Sequence, residues 1–202
     1  MGLFMETREV FPDYSAPDAL LPDPPAVIWA GANKSRAMID LVIKFFPLTA
    51  ADEPQIEKLD ERAFGPGRFA RTAYRLREGV AADLSLSFVA RVGTLLVGAN
   101  RMTPILVGSV PALLLGPLTV EPAFRSQGVG EKLMKHSLDA AREAGHGLVL
   151  LVGDEDYYAR VGFMRVPHGR IVMPGPVDPD RLLYCELQRG AFEKARGKMR
   201  RL

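Results

Sequence analysis

From Met38 onward the apolar residues fall into short patterns that alternate between strand-like and helical spacing. Leu41–Pro47 (LVIKFFP) reads as a strand. Thr49 then offers an N-cap to ADEPQIEKLDERAF, in which Ile56, Leu59 and Ala63 share one helical face, and Gly65-Pro66-Gly67 ends the run. RFARTAYRLREG repeats the helical spacing, with Phe69, Ala73 and Leu76 inward and Gly79 closing it. Leu84–Arg91 alternates as a strand should, and Thr94–Val107 is a longer one interrupted by Gly98, Asn100 and Pro104. Ala112–Val120 (ALLLGPLTV) is almost wholly apolar, which fits a strand covered on both faces. A helix over Val129–Ala144 stops at Gly145, and Gly147–Val152 (GLVLLV) is a second buried strand. Asp156–Arg160 is a short helix, Phe163–Val166 begins a strand, and Arg181–Leu187 is the last. The order β-α-α-β-β-β-α-β-α-β-β predicts a mixed α/β domain around one central sheet.

Residues 1–37 break the pattern. They hold Pro12, Pro17, Pro22, Pro24 and Pro25 and show no period. Two readings stand: a proline-rich arm or leader, pinned by residues such as Phe11, Tyr14 and Trp29, or translation that begins at Met38. The expected organisation is thus 1–37 as arm and 38–202 as the domain.

Composition narrows the chemistry. The 202 residues carry 26 Lys+Arg against 24 Asp+Glu, a net +2 that gives no field for bulk nucleic-acid or anionic-membrane binding. One cysteine, Cys185, excludes an internal disulfide framework and a multi-cysteine metal site. His136, His146 and His168 are scattered without metal-ligand spacing, so no metal is expected. No signal peptide or membrane-length apolar run is visible, and a reducing, cytoplasmic compartment is the expectation.

The informative stretch runs from the apolar strand through Glu121-Pro122 into Arg125-Ser126-Gln127-Gly128-Val129-Gly130 and then a helix. Glycines there let the backbone approach a ligand closely. The first amides of a helix lack internal partners, and the dipole adds positive potential, which suits a phosphate. Arg125 and Gln127 add donors at the rim. A dinucleotide fingerprint would need glycine three residues after Gly130, where Leu133 stands, and the P-loop pattern is absent. On spacing alone, a glycine-rich turn that only caps a helix stands beside the phosphate site.

Leu118-Thr119-Val120-Glu121-Pro122 followed by Arg125-x-x-Gly128-x-Gly130 resembles the acyl-CoA motif of the GCN5-related N-acetyltransferase (GNAT) family. Tyr158-Ala159-Arg160-Val161-Gly162-Phe163 resembles that family's downstream Y-x-x-x-G-F motif, in the right order. The resemblance covers about Leu41 to Leu187. It implies a central sheet of six to seven strands, flanked by helices and splayed where acyl-CoA binds, with Gly116-Pro117 as the local cause of a bulge. It also implies acetyl-CoA as acyl donor, its pyrophosphate on the amides of Arg125, Ser126, Gln127, Gly128, Val129 and Gly130, and its pantetheine along the backbone of Leu118, Thr119 and Val120. The thioester oxygen would meet a backbone N–H near Leu118. Tyr158 would protonate the departing thiolate, while Tyr157 packs or lines the pantetheine tunnel.

The implied reaction is direct acetyl transfer to a primary amine of a small molecule or peptide in a ternary complex. The alternative is an acyl-CoA-binding regulatory module without transfer. An Asn that many members carry is replaced around Gly153-Asp154-Glu155-Asp156, and Asp154 is expected to cap the short helix. No general base is visible. Arg68, Arg71, Arg75 and Arg77 lie where the family's acceptor pocket is bordered, which makes an acidic acceptor conceivable, but a solvated basic face is the favoured reading. The basic tail QRGAFEKARGKMRRL reads as a frayed helix end, not a nucleic-acid arm. Cys185 is expected to be buried and His136 solvated. A homodimer is conceivable if the arm crosses between subunits.

Overall fold

The computed structural model describes residues 42–202, so both readings of segment 1–37 lie outside the described residues. Nine strands follow in chain order: β1 (Ile43–Pro47), β2 (Phe88–Val92), β3 (Leu95–Val107), β4 (Val110–Val120), β5 (Leu148–Val152), β6 (Met164–Arg165), β7 (Ile171–Val172), β8 (Leu182–Glu186) and β9 (Gly197–Arg201). The α-helices are α1 (Glu53–Phe64), α2 (Thr72–Arg75), α3 (Val129–Glu143), α4 (Glu155–Tyr158) and α5 (Ala191–Lys194). The main sheet runs β1-β2-β3-β4-β5-β8-β6, with β9 added to β3 and β7 to β9. Pairing is antiparallel throughout except for β4 with β5 and β7 with β9.

Alternation along the two central strands explains the layers. Leu113 and Leu115 of β4, with Val149 and Leu151 of β5, pack under Met134, Leu138 and Ala141 of α3. Leu114, Leu148 and Leu150 point the other way, toward Leu76, Phe192 and Met199. A strand with apolar residues at both parities needs cover on both faces, and these strands have it. On α1, Ile56 and Leu59 are buried against Leu48, Val89, Leu96 and Ala99, as their spacing requires. Each such side chain contributes roughly 2 kcal/mol by leaving water.

Several expectations change. The second helical stretch breaks into a 3-10 turn, Pro66–Ala70, and the single α-turn of α2. Phe69 is exposed there, not inward, while Leu76 is buried. Leu84 and Ser85 form a turn held by the Asp83 carboxylate, so β2 begins only at Phe88. The basic tail does not fray. After α5 it enters β9, whose Arg201 pairs with Ile105 of β3 and whose Met199 is buried. Arg170 donates to the carbonyls of Phe192, Glu193 and Ala195, closing the end of α5.

No helix among the described residues is long and apolar enough to cross a membrane. No group of His, Cys, Asp or Glu among them could hold a metal ion.

The strand assignment of the tail is testable by truncating one side chain. Met199→Ala should cost about 2–5 kcal/mol in urea unfolding. Lys198→Ala, on the exposed neighbour, should stay within about 0.5 kcal/mol of wild type. A frayed tail would make the two alike.

Candidate functional site

Strands β4 and β5 pair only at Leu113–Val149 and Leu114–Leu150, and then part. The cause is local to β4. Against β3, Asn100 faces Leu118 and Met102 faces Leu115, so two steps on β3 span three on β4, and the extra residue lies at Gly116-Pro117. Gly116 sits at φ 115, and Pro117 has no N–H to donate to a neighbouring strand. The bulge expected from the sequence is therefore present. From Leu115 to Val120 the β5-facing edge of β4 has no partner strand.

At the end of that open edge the chain makes a 3-10 turn over Pro122–Phe124 and enters α3 through 125–128. Ser126 and Gly128 are both left-handed, at φ 62 and 74. This folds the backbone so that successive amides point outward, a nest for an anion. Lys132 is the first amide of the helix to find an acceptor, on the Gly128 carbonyl. The amides of Ser126 through Glu131 donate to no acceptor among the described residues. The two glycines have different roles. Gly128 is demanded by its φ, since a Cβ there would meet nothing, whereas Gly130 is demanded by space, because the Tyr157 hydroxyl lies on it. Arg125 anchors its Nε on the Val120 carbonyl at 3.3 Å. Gln127 folds back to the Ala123 carbonyl, so it braces the turn instead of opening to the rim.

Leu118 and Val120 turn toward α3, packing with Val129 and Leu133. Thr119, between them, is buried, and its hydroxyl donates to Asp60 Oδ1 at 2.6 Å. Its side chain is thus committed, which leaves only its backbone for a ligand.

Beyond the parting of the strands a cleft of about 1080 Å³ opens, bordered by Leu118, Tyr158, Arg77, Asp60 and Arg101 among others. Tyr158 enters it from α4 with its ring laid on Gly153, where a Cβ would collide with it. Burial, assisted by neighbouring Tyr157 and Asp154, pushes its phenol up to about 12, against the opposing pull of Arg181 and Arg77. Tyr157 stands at right angles to it, ring centroids 5.0 Å apart.

Asp60 is buried. Burial raises its pKa, although the Thr119 hydroxyl and Arg101, at 3.1 Å, act the other way. Arg101 also holds Glu53, and Arg68 holds Glu57. Sequence reasoning missed Asp60 and Arg101. Asp60 follows a core leucine on a helix, and its partners come from strands 41 and 59 residues away, so no local spacing marks it.

The remaining candidates are accounted for. Asp154 occupies the N-cap of α4 but makes no side-chain cap bond; it pairs with Arg181 at 3.2 Å, correcting the capping expectation. Glu155 pairs with Arg165, and Glu121 with Arg62. Arg71 lies over the Phe64 ring at the cleft, while Arg75 turns toward a separate hollow. His136 is exposed beside the rings of Phe45 and Phe88, and Cys185 is buried.

A sheet parted beside an unpaired helix N-terminus is the layout of acyl-CoA-dependent transferases, and comparison with known proteins agrees. The profile of the acetyltransferase (GNAT) domain matches residues 83–165. An uncharacterized N-acetyltransferase of Escherichia coli K12, YhbS, is 30% identical over 119 residues, covering 58% of this chain and 71% of that protein. The crystal structure of E. coli YhbS in complex with CoA matches with a TM-score of 0.69 at 25% identity, over 80% of this chain and 91% of that one. A GNAT family acetyltransferase from Brucella melitensis, in complex with acetyl-CoA, matches with a TM-score of 0.53 at 26% identity, over 75% and 99%. The chain belongs to the GNAT family of N-acetyltransferases.

The contact at Gly130 gives a direct check on the loop. Gly130→Ala should lose about 1–3 kcal/mol in urea unfolding by overpacking against Tyr157. Adding Tyr157→Phe, which removes the obstructing oxygen, should recover most of it, a coupling that a double-mutant cycle measures.

Proposed function

We propose that this protein transfers the acetyl group of acetyl-CoA to a primary amine by direct attack in a ternary complex. The observation that carries the reading is the run of six free amides, Ser126 to Glu131, placed at the end of an unpaired strand edge. Backbone amides at a helix start are suited to a pyrophosphate, and an open strand edge is suited to the amide groups of a pantetheine arm. On this reading the amides of Ser126, Gln127, Gly128, Val129 and Gly130 receive the diphosphate, whereas the Arg125 amide expected from the sequence is already held by the Pro122 carbonyl, and the backbone of Leu118, Thr119 and Val120 pairs with the arm. A backbone N–H near Leu118 meets the thioester oxygen. The domain organisation proposed is 38–202 as the transferase domain after 1–37 as a proline-rich arm or leader, and the single cysteine favours a cytoplasmic setting.

The chemistry follows from these positions. The neutral amine nitrogen forms a bond to the thioester carbon, and the C–S bond breaks. Tyr158 gives its proton to the leaving sulfur, and the proton lost by the nitrogen restores the phenol by way of solvent. A thiolate whose conjugate acid has pKa ~8.5 takes a proton from a phenol only with close contact, because the phenol is the weaker acid. A phenol held near 12 stays protonated across the whole working range, so the acid is always loaded. The main contribution of the protein is proximity and orientation.

Tyr158→Phe should lower kcat about a hundredfold or more while leaving the calorimetric Kd for acetyl-CoA unchanged. Wild-type kcat should show no loss from Tyr158 ionisation until pH approaches 12, because the raised phenol pKa keeps the proton on below that. Unchanged turnover in Tyr158→Phe would remove the acid assignment. Absence of heat on titrating coenzyme A would remove the whole reading.

A further inference from the structure

Arg77 differs from the other cations of the cleft: Arg71 lies over the Phe64 ring, and the rest have carboxylates. Arg101 is held by Asp60 and Glu53, Arg68 by Glu57, and Arg181 by Asp154. Nε of Arg77 is sealed from solvent without a hydrogen-bond partner. No carboxylate among the described residues reaches its guanidinium within ion-pair distance, since the nearby Asp60 is taken by Thr119 and Arg101. One terminal nitrogen lies 3.1 Å from where a Cβ of Gly116 would be, so the group faces the parting of β4 and β5. Burial, assisted by neighbouring Arg101, draws its pKa down to about 10, with Asp60 foremost among the groups that partly oppose.

A half-buried guanidinium with its Nε sealed and no carboxylate beside it is costly to keep, and it is relieved by an anion that matches its fork. A carboxylate does this with two parallel N–H···O bonds. The position also sets a length. That same Cβ position at Gly116 lies 3.5 Å from the Leu118 nitrogen, so the Arg77 terminal nitrogen and the Leu118 amide are within about 7 Å of each other. A substrate with its amine at the thioester near Leu118 and its anion at Arg77 needs only a few bonds between the two groups.

We propose that the acceptor is a small amino carboxylic acid, bound through its carboxylate by Arg77. This rests on the acetyltransferase reading above and adds the acceptor's class to it.

The test measures thiol release from acetyl-CoA with matched sets: glycine, β-alanine and α-amino acids, each against its carboxamide and its decarboxylated amine. Wild type should use at least one acid with a kcat/KM ten or more times that of its amide. Arg77→Met should close that gap, Arg77→Lys should keep part of it, and calorimetry should give both variants the wild-type Kd for coenzyme A. Arg77→Met should also melt higher than wild type without ligand, because it removes an uncompensated charge; a purely structural arginine would do the reverse. Equal use of acid and amide, or a gap that survives in Arg77→Met, overturns the proposal. So does loss of coenzyme A binding in Arg77→Met, which would assign the residue to the donor. If wild type binds coenzyme A but no amine in the panel releases thiol, the acceptor class is wrong while the donor site stands. If it binds no coenzyme A, the acetyltransferase reading falls as well.

Discussion

Strands β4 and β5 hold together for two residue pairs and then separate, although β4 runs on to Val120 and β5 to Val152. An open strand edge inside a protein normally closes or is covered, since its N–H and C=O groups need partners. Here closure is blocked from within. The bulge at Gly116-Pro117 shifts the ladder and removes one donor. Arg77 lies against Gly116 on one side of the gap, and the ring of Tyr158 lies on Gly153 at the other. The free edge is also gripped from both faces: Leu118 and Val120 pack on α3, and Thr119 is bonded to Asp60 of α1. With its side chains fixed above and below, β4 cannot rotate to find a new neighbour. Its backbone stays aimed at the gap, and the nest before α3 stays in line with it.

Thr119 links the two halves of the site. On the side of α3 the strand presents backbone and glycine, which suits the uniform polar groups of a long cofactor arm. On the side of α1 it contacts a charged network of Asp60, Arg101 and Glu53. Burial of Asp60 is tolerable because a hydroxyl and a guanidinium both address it. One strand therefore separates a generic donor surface from a particular acceptor surface.

Much of this was legible in the sequence, for reasons that differ by region. Ala112–Val120 and Gly147–Val152 announce themselves because strands buried on both faces must be apolar at both parities. The glycine loop is readable because left-handed and crowded positions admit few other residues. The second helical stretch misled because RFARTAYRLREG has helical spacing, yet Gly65 and the turn at Arg71 leave room for only one α-turn, and Phe69 ends exposed. The tail misled for the opposite reason. Its basic residues fit a solvated end, but Met199 and a free stretch of β3 at Ile105–Val107 supply a strand partner that lies some ninety residues earlier. Asp60 was invisible as a site residue, and Arg77 was only one of four arginines that the sequence placed at the acceptor border, because what singles each out is its surroundings in space and not any local period.

The contrast between Arg77 and its neighbours also bears on Tyr158. A phenol raised by burial releases its proton to a thiolate only when something nearby lessens the cost of the transient negative oxygen. Arg77 and Arg181 are the groups that pull the phenol downward, and only Arg181 has a carboxylate of its own. On the proposed reading, an acceptor carboxylate at Arg77 offsets part of that pull, and Arg181 is then the cation that lowers the cost of a negative phenol oxygen as the thiolate is protonated.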